Sequence, residues 1–201
     1  MSRLVHIIDD EEAIRDGLGW LLKTRGLDSR GWEDGAAFLA AGDAPLAGVT
    51  CLVLDVRMPE VSGLEVFDQL QARHGEAMPP VIFLTGHGDI PMAVEAVKKG
   101  AFDFFEKPLS NNRLVDRVIE ALDRAEKSLA LRSTQAETER RLAMLSPREL
   151  EVMERILVGK LNKVIADDLG ITMRTVEVHR ASIFNKMGVR GAVELAQLLK
   201  H

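Results

Sequence analysis

Four short, largely apolar runs and one more polar strand candidate, at residues 27–32, alternate with amphipathic segments along the first 125 residues of the chain. The run at residues 51–54 is continuous rather than alternating, which is typical of a strand that helices cover on both faces. Between the runs, apolar residues recur at spacings of three and four, as they do along one face of a helix. The predicted strands lie at residues 3–8, 27–32, 52–55, 81–85 and 102–106. This alternation predicts a doubly wound α/β domain built on a five-stranded parallel sheet with right-handed crossovers.

The rest of the chain shows helical patterns only. No Gly or Pro interrupts residues 111–145, and the apolar stripe of this segment fades after Leu131. We interpret the segment as a helix that continues beyond the first domain as a linker, although its polar part is equally compatible with a partly melted chain. Residues 146–200 contain four short helical patterns, and a capping box from Ser146 to Glu149 opens the first. The predicted organisation is an α/β domain at 1–124, a helical linker at 125–143 and an all-α domain at 144–201.

The composition is that of an ordinary globular protein, 46% hydrophobic and 28% charged. Its one cysteine, Cys51, lies inside the buried run, which excludes an intrachain disulfide and a multi-cysteine metal site. No apolar run approaches the ~20 residues of a membrane helix, and the N-terminal residues show no secretion signal. We therefore expect a cytoplasmic protein with no membrane partner.

The net charge of −5 conceals an asymmetry between two parts of the chain. Residues 1–127 carry 22 acidic and 14 basic side chains, whereas residues 128–201 carry 9 acidic and 12 basic ones. An acidic first part and a mildly basic second part indicate two modules with different partners. The basic excess is too small to imply nucleic acid unless a motif supports it.

Polar side chains follow four of the five predicted strands at the point where each strand ends. Asp9 and Asp10 follow the first strand, Asp55 ends the third, Thr85 ends the fourth and Lys107 follows the fifth. Because the carboxyl ends of parallel strands share one edge of a sheet, these side chains can converge there. A divalent cation would offset the repulsion between carboxylates, a carboxylate can attack a phosphoryl group, and a hydroxyl and an ammonium can receive phosphoryl oxygens. Each feature alone has an ordinary structural explanation, and only the combination is specific.

The first 125 residues resemble the receiver domain of two-component response regulators, which has a flavodoxin-like fold. The resemblance rests on four pieces of sequence: Asp9-Asp10, the string D-V-R-M-P that begins at Asp55, Thr85-Gly86 and Lys107-Pro108. It implies that a sensor histidine kinase phosphorylates Asp55. It also implies that Thr85 and Lys107 bind the phosphoryl group.

The same resemblance implies a divalent ion, Mg²⁺ or Mn²⁺. Asp10, Asp55 and the main-chain carbonyl of Arg57 would hold it, and Asp9 would contribute directly or through water. Arg57 and His87 stand at positions that vary within the family, and neither is an acid or an amide suited to orienting an attacking water. We therefore expect a phosphoryl group that persists long enough for transcription.

A switch residue and a dimer surface are implied as well. Phe104 occupies the place of the side chain that moves with the Thr in this family, and the Lys107–Pro108 peptide bond is expected to be cis. Phosphorylation would act through Thr85 and Phe104 on the surface of the fourth helix and fifth strand, and so produce a homodimer. The residues expected on that surface are Val94, Val97, Lys98, Lys99 and Asp103.

The second module resembles the LuxR-type four-helix DNA-binding domain over residues 145–200. The strings that carry the resemblance are L-S-P-R-E-L-E-V, N-K-V-I-A-D-D-L-G-I-T, R-T-V-E-V-H-R and K-M-G-V-R. The L-G-I-T turn between two predicted helices fits a helix-turn-helix, although such turns alone are common in helical proteins. Together, the two modules resemble a NarL/FixJ-type transcription factor.

On the predicted third helix of this module, Arg174, Glu177, Val178 and Ala181 can share one face. Glu177 could accept a hydrogen bond from cytosine N4, and Val178 or Ala181 could touch a thymine methyl group. A solvated helix charge is an equally good explanation of Glu177. The candidates for contacts with DNA phosphates are Arg174, Arg180, Lys160, Lys163 and Lys186.

The leading hypothesis is a transcriptional regulator that phosphotransfer to Asp55 activates and that binds double-stranded promoter DNA. It would not be an enzyme, beyond promoting its own phosphorylation and dephosphorylation. One alternative is a metal-dependent phosphatase that uses the acidic cluster. Another is a receiver that acts as a phosphate sink without regulatory output.

Overall fold

The computed structural model describes residues 3–86, 90–108 and 111–200 of the chain. The chain divides into two compact units, residues 1–129 and residues 130–201. The first unit is an α/β sheet structure and the second is helical. The predicted fold class is therefore confirmed.

In the described part of the first unit, five parallel strands form one sheet in the order β2-β1-β3-β4-β5. The strands span Arg3–Ile8, Asp28–Trp32, Val49–Asp55, Val81–Thr85 and Asp103–Glu106. The register pairs Ile8 with Leu54, Asp55 with Leu84, and Thr85 with Glu106. The carboxyl ends of β1, β3, β4 and β5 therefore lie along one edge, at which such sheets bind their ligands.

The third strand is longer than the sequence predicts. It begins at Val49 because Val49 and Thr50 pair with Arg3 and Leu4 of β1, and both are almost completely buried. This longer pairing fixes the register that carries Asp55 to the edge of the sheet.

The helices described in the first unit are α1 (Glu12–Thr24), α2 (Gly35–Ala40), α3 (Gly63–His74), α4 (Ile90–Lys98) and the first part of α5 (Asn111–Ala143), which continues into the second unit at residue 130. Successive residues of β3 belong to two different cores. Cys51 and Val53 pack in the core cluster that contains α1 and α5, whereas Leu52 and Leu54 pack in the cluster that contains α2, α3 and α4. Burial on both faces explains why this strand is a continuous apolar run.

Helix α5 is one helix as far as Ala143, so its polar part is helical rather than melted. Local side-chain hydrogen bonds occur along that part. The hydroxyl groups of Thr134 and Thr138 donate to carbonyl groups one turn earlier, and Arg141 Nε lies 2.8 Å from Glu137 Oε1. An acid four residues before an arginine stabilises a helix in isolation.

In the second unit, the helices after α5 are α6 (Pro147–Leu157), α7 (Asn162–Leu169), α8 (Met173–Met187) and α9 (Ala192–Leu198). Its core contains Val152, Ile165, Val176 and Ile183, all fully buried, and Leu142 from the end of α5 packs against it. The predicted capping box at the start of α6 is present. None of the helices in the described part of either unit combines the length and apolar character that a membrane span requires.

Candidate functional site

Asp55, Asp9 and Lys107 meet at the carboxyl edge of the sheet. The ammonium nitrogen of Lys107 lies 2.7 Å from Asp55 Oδ1 and 2.9 Å from Asp9 Oδ2. The side chain of Asp9 is fully buried, and 7% of the Asp55 side chain and 20% of the Lys107 side chain are exposed. Glu11 lies at the margin, with its carboxylate 3.5 Å from the same ammonium group. The structure therefore brings together the acids of β1 and β3 and the lysine that follows β5.

The loop after β3 holds the other oxygen of Asp55. The main-chain N–H of Arg57 donates to Asp55 Oδ2 at 2.8 Å. The N-terminus of α3 approaches so closely that a Cβ at Gly63 would collide with the main-chain oxygen of Asp55. A capping box between Ser62 and Glu65, which the sequence reasoning missed, fixes this end of the helix. Both the carboxylate and the main chain of Asp55 are therefore fixed by neighbouring backbone.

Burial and charge act in opposite directions on these groups. Burial raises the pKa of Asp55, and the nearby Asp9 adds to this rise, while the hydrogen bond from Lys107 opposes it. Burial acts to lower the pKa of Lys107, but hydrogen bonds to Asp55 and Asp9 outweigh burial and the pKa is raised. The lysine is therefore held charged between two carboxylates.

Thr85 and Phe104 lie on the two strands next to this cluster. Thr85 is fully buried, and its main-chain oxygen accepts a hydrogen bond from Lys107 N at 2.8 Å. Phe104 is partly buried and packs against the core cluster that contains α3 and α4. The Lys107–Pro108 peptide bond is cis, as expected. His87 lies outside the described residues.

The predicted metal ligands are only partly assembled. Asp9 and Asp55 face the ammonium group of Lys107, whereas Asp10 is exposed and its main-chain oxygen accepts from Arg15 at 3.0 Å. Among the described residues, no three acid, histidine or cysteine side chains are grouped closely enough to hold a metal by themselves. The available donors are oxygens, which suits a hard cation that keeps water and phosphoryl ligands.

The charged residues predicted on the surface of α4 and β5 are paired within the first unit. Lys98 lies 3.0 Å from Glu95, Lys99 lies 2.9 Å from Asp68, and Asp103 lies 2.7 Å from Arg117. Val94 and Val97 are exposed on the same helix, at 41% and 40%. This surface therefore combines two exposed valines with partly neutralised charges.

In the second unit, α8 presents the predicted face to solvent. Arg174, Glu177, Val178 and Ala181 are all exposed, whereas Val176, Ile183 and Met187 on the opposite side are fully buried. Thr172 caps this helix by accepting from the N–H of Thr175 at 3.2 Å. The turn before it contains Gly170 in the left-handed conformation, with φ 64°. The helix-turn-helix geometry is thus set by its caps and its buried stripe.

Two of the predicted phosphate-contacting lysines have acidic partners inside the unit. Lys160 lies 2.6 Å from Asp168, and Lys186 lies 2.7 Å from Glu149. The guanidinium group of Arg180 stacks on Phe184 at 5.3 Å. Arg174 and Lys163 are exposed. The sequence could not reveal these pairs, because the partners are brought together only by folding.

Glu149 has a second role that the sequence reasoning missed. Its side chain completes the capping box of α6 and also accepts from Ser182 Oγ at 2.6 Å and from Lys186 Nζ at 2.7 Å. Hydrogen bonds from Lys186 and Ser182 lower the pKa of Glu149 to about 2. Its 5% exposure makes it one of the few buried charged residues among those described. This carboxylate joins the start of α6 to the second half of α8.

Comparison with protein families identifies both units. The response regulator receiver domain matches residues 5–119, and the family described as bacterial regulatory proteins, luxR family, matches residues 143–199. A receiver domain implies a cognate sensor histidine kinase, and a luxR-family domain implies DNA as a partner. These matches do not favour the phosphatase or the phosphate-sink alternative.

Relatives and solved structures match nearly the whole chain. The C4-dicarboxylate transport transcriptional regulatory protein DctR of Rhodobacter capsulatus is 50% identical over 98% of this chain and 100% of its own length. The transcriptional regulatory protein FixJ of Azorhizobium caulinodans is 44% identical over 96% of this chain and 90% of its own. The structure of the response regulator StyR is 36% identical, covers 100% of this chain and 99% of its own, and superposes with a TM-score of 0.91. The chain therefore belongs to the two-component response regulators of the NarL/FixJ type, transcriptional regulators that join a receiver domain to a LuxR-type DNA-binding domain.

Proposed function

We propose that Asp55 accepts a phosphoryl group from a sensor histidine kinase and that its phosphorylation controls the binding of promoter DNA by α8. The observation that carries this proposal is the meeting of Asp55, Asp9 and Lys107 at the edge of the sheet. An isolated structural acid at a strand end has no need of a lysine and a second buried acid beside it. The family membership supplies the two partners, a kinase and DNA.

In the proposed transfer, a carboxylate oxygen of Asp55 attacks phosphorus, the bond from phosphorus to the kinase histidine nitrogen breaks, and an acyl phosphate forms. The ammonium group of Lys107 lies 2.7 Å from Asp55 Oδ1. Once the acyl phosphate has formed, this group can donate to the phosphoryl oxygens instead of the free carboxylate. The hydroxyl group of Thr85, at the end of the next strand, donates to another of these oxygens.

Receiver domains generally bind Mg²⁺, and the oxygen donors at this edge fit Mg²⁺ or Mn²⁺. Asp10, Asp55 and the main-chain carbonyl of Arg57 would hold the ion, with Asp9 acting directly or through water. When bound, the ion supplies positive charge that stabilises the transferring phosphoryl oxygens. Asp10 is exposed, and unlike Asp9 and Asp55 its carboxylate forms no ion pair with Lys107 among the described residues. Its oxygens are therefore available to the divalent ion.

The output of the switch is a homodimer. Movement of Thr85 toward the phosphoryl group leaves space that the ring of Phe104 fills by packing inward. Because this ring contacts the core beneath α4, its movement alters the surface that carries Val94 and Val97. Two receivers joined there would bring two copies of α8 to half-sites about one DNA turn apart.

The exposed face of α8 would read the major groove through Glu177, Val178 and Ala181. Arg174 and Lys163 are exposed candidates for phosphate contacts, and Arg180 is a half-buried one that stacks on Phe184. Lys160 and Lys186 would have to leave their acidic partners. The proposed chemistry is limited to the protein's own phosphorylation and dephosphorylation, in the cytoplasm.

A DNA mobility shift with a duplex selected from a randomised library tests the proposal. Wild-type protein treated with a small-molecule phosphodonor and Mg²⁺ should bind the selected duplex more tightly than untreated protein, and Asp55→Asn should show no response to the donor. Asp116→Asn, which removes an exposed acid from α5, is the matched control and should respond like wild type. Equal responses of Asp55→Asn and wild type would refute the assignment of Asp55, and an absence of sequence-specific binding would refute the DNA-binding output.

A further inference from the structure

Arg141, in the last turn of α5, reaches the C-terminal end of α8. Its Nη1 donates to the main-chain oxygen of Met187 at 2.7 Å, and Met187 is the last residue of α8. The last carbonyl groups of a helix have no partner within the helix and carry partial negative charge. A guanidinium group at this point therefore satisfies a free acceptor and complements the helix dipole.

The surroundings of Arg141 are shaped to hold it. Gly188, which follows α8, has φ 69°, and a Cβ at that position would collide with Arg141 Nη1. On the other side, Nε of Arg141 lies 2.8 Å from Glu137 Oε1, and this hydrogen bond lowers the pKa of Glu137. The guanidinium group thus has an acidic partner on its own helix and an acceptor on another.

A second contact holds the same half of α8. Glu149 of α6 accepts hydrogen bonds from Ser182 and Lys186. The last two turns of α8 are therefore bonded both to this acid and to Arg141 of α5. The proposed DNA-reading residues lie in the first half, between Arg174 and Ala181. These contacts therefore fix the C-terminal end of α8, in addition to the core packing of Val176 in the first half.

We propose that Arg141 is a positioning residue for DNA binding, which acts by fixing the C-terminal end of α8. The proposal rests on the proposed role of α8 in reading DNA. Arg141 lies before residues 143–199, which match the luxR family. The functional DNA-binding unit would therefore begin inside the helix that precedes it, rather than at α6.

Three variants of the full-length protein test this role: Arg141→Ala, Arg141→Lys and Arg140→Ala. Arg140 is the matched control, because it is the adjacent arginine and also lies near Glu137, at 3.4 Å, but its side chain is 75% exposed. The first measurement is the affinity for the selected duplex at several salt concentrations. The second is hydrogen exchange of the amides in the last turn of α8.

Arg141→Ala should weaken DNA binding about 5- to 10-fold, the equivalent of one lost hydrogen bond. The dependence of affinity on salt should keep its wild-type slope, because a positioning residue releases no counterions. Arg141→Lys, which keeps one donor and the charge, should recover a large part of the loss. Arg140→Ala should stay within about twofold of wild type, since exposed ion pairs contribute little.

Unchanged affinity of Arg141→Ala for the duplex would overturn the proposal, and so would either of two further results. One is a smaller slope of log affinity against log salt concentration in Arg141→Ala, reduced by the amount expected for one lost phosphate contact. That result would make Arg141 a direct DNA contact. The other is equal amide exchange at the end of α8 in Arg141→Ala and Arg140→Ala, which would remove the structural basis whatever the DNA result. Failure of the wild type to bind any duplex would instead refute the proposed function, and the exchange comparison would still decide whether Arg141 holds the helix.

Discussion

Lys107 lies 2.7 Å from Asp55 and 2.9 Å from Asp9, so one ammonium group bridges two buried carboxylates. The two acids would otherwise repel one another, since the charge of Asp9 raises the pKa of Asp55. Lys107 therefore supplies, between the two carboxylates, the positive charge that a divalent cation could also supply. A lysine in this position both stabilises the resting protein and is ready to contact the modified aspartate.

Replacing Lys107 with Met should destabilise the metal-free receiver by about 1–3 kcal/mol, because two buried carboxylates lose their common partner. Mg²⁺ should then stabilise the variant more than the wild type, since the ion would replace the missing positive charge. Urea unfolding with and without Mg²⁺ measures both effects. Trp20 and Trp32 are the only two tryptophans in the chain, so tryptophan fluorescence reports on the receiver alone.

Lys99→Met is the control for this experiment. Its partner Asp68 and Lys99 itself are each 51% exposed, and such pairs contribute little, so the change should stay within about 0.5 kcal/mol. If Lys107→Met were as stable as Lys99→Met in the absence of Mg²⁺, the bridging role would be refuted.

Two glycine substitutions should have opposite effects on receiver stability. A Cβ at Gly63 would collide with the main-chain oxygen of Asp55, so Gly63→Ala should cost about 1–3 kcal/mol and slow phosphorylation. Gly17 lies inside α1, and an alanine Cβ there would meet no atom of another element within 4 Å, so Gly17→Ala should stabilise by about 0.5–1 kcal/mol. Urea unfolding and phosphodonor labelling measure the two effects. Equal stabilities of the two variants would show that the close approach at Gly63 is unimportant.

Glu149→Gln should destabilise the second unit by about 1–3 kcal/mol at pH 7, because the hydrogen bonds to Lys186 and Ser182 lose a charged acceptor. The pKa of Glu149 is lowered to about 2 in the folded chain, from an ordinary value of 4.5. The contribution of ionised Glu149 to the free energy of unfolding is therefore complete above pH 4.5 and is lost as the pH falls toward 2.

The measurement is thermal unfolding between about pH 7 and pH 3, followed by helical circular dichroism for both units and by tryptophan fluorescence for the receiver alone. The transition seen only by circular dichroism belongs to the second unit. The wild type should lose stability over the acid part of this range, while Glu149→Gln should depend less on pH. Glu151→Gln, which removes an acid that is 48% exposed on the same helix, should behave like wild type. A pH profile of Glu149→Gln that parallels wild type would contradict the assigned role.

His6 should make the receiver sensitive to acid. It is fully buried, Nδ1 accepts from Trp32 Nε1 at 3.0 Å, and Nε2 lies 2.7 Å from the carbonyl oxygen of Pro45. Burial lowers the pKa of His6 below its ordinary value of 6.5. The folded chain therefore favours neutral His6. The contribution of this preference to the free energy of unfolding is complete above pH 6.5 and declines as the pH falls.

Urea unfolding followed by tryptophan fluorescence at about pH 7.5 and about pH 5.5 measures this dependence. His6→Leu should be less stable at the higher pH by about 1–3 kcal/mol, because Trp32 loses its acceptor, and should change less between the two pH values. His179→Gln, which alters the other unit, should leave the receiver transition unchanged. Identical pH dependence in His6→Leu and wild type would show that another group is responsible.

The sheet could be predicted mainly because β3 and β4 are continuous apolar runs, whereas β2 is mostly polar and gives a weaker signal. Asp55, Thr85 and Lys107 could be predicted because each stands at the end of a predicted strand. The length of α5 could not be decided in the same way. Its apolar stripe fades after Leu131, but the helix continues to Ala143, with an ion pair between Glu137 and Arg141 and with Leu142 packed against the second core.

The sequence alone could not predict which charged residues form ion pairs in the folded chain. Lys186 and Lys160 look like free cations in a basic module, and Glu149 looks like a capping residue and nothing more. The contact between Glu149 and Lys186 joins residues that are 37 positions apart, and only the packing of α6 on α8 creates it. Long-range pairs of this kind leave no local pattern.

The separation of the exposed face of α8 from its buried face and its held C-terminal end has a consequence for how such a regulator can change. Ser182, Lys186 and Met187 are committed to contacts with Glu149 and Arg141, while the side chains from Arg174 to Ala181 on the solvent face contribute little to the core. If α8 reads DNA as proposed, substitution of exposed residues in the first two turns should change promoter preference without loss of folding. The contacts of the last two turns hold the helix in place while the exposed side chains of the first two turns change.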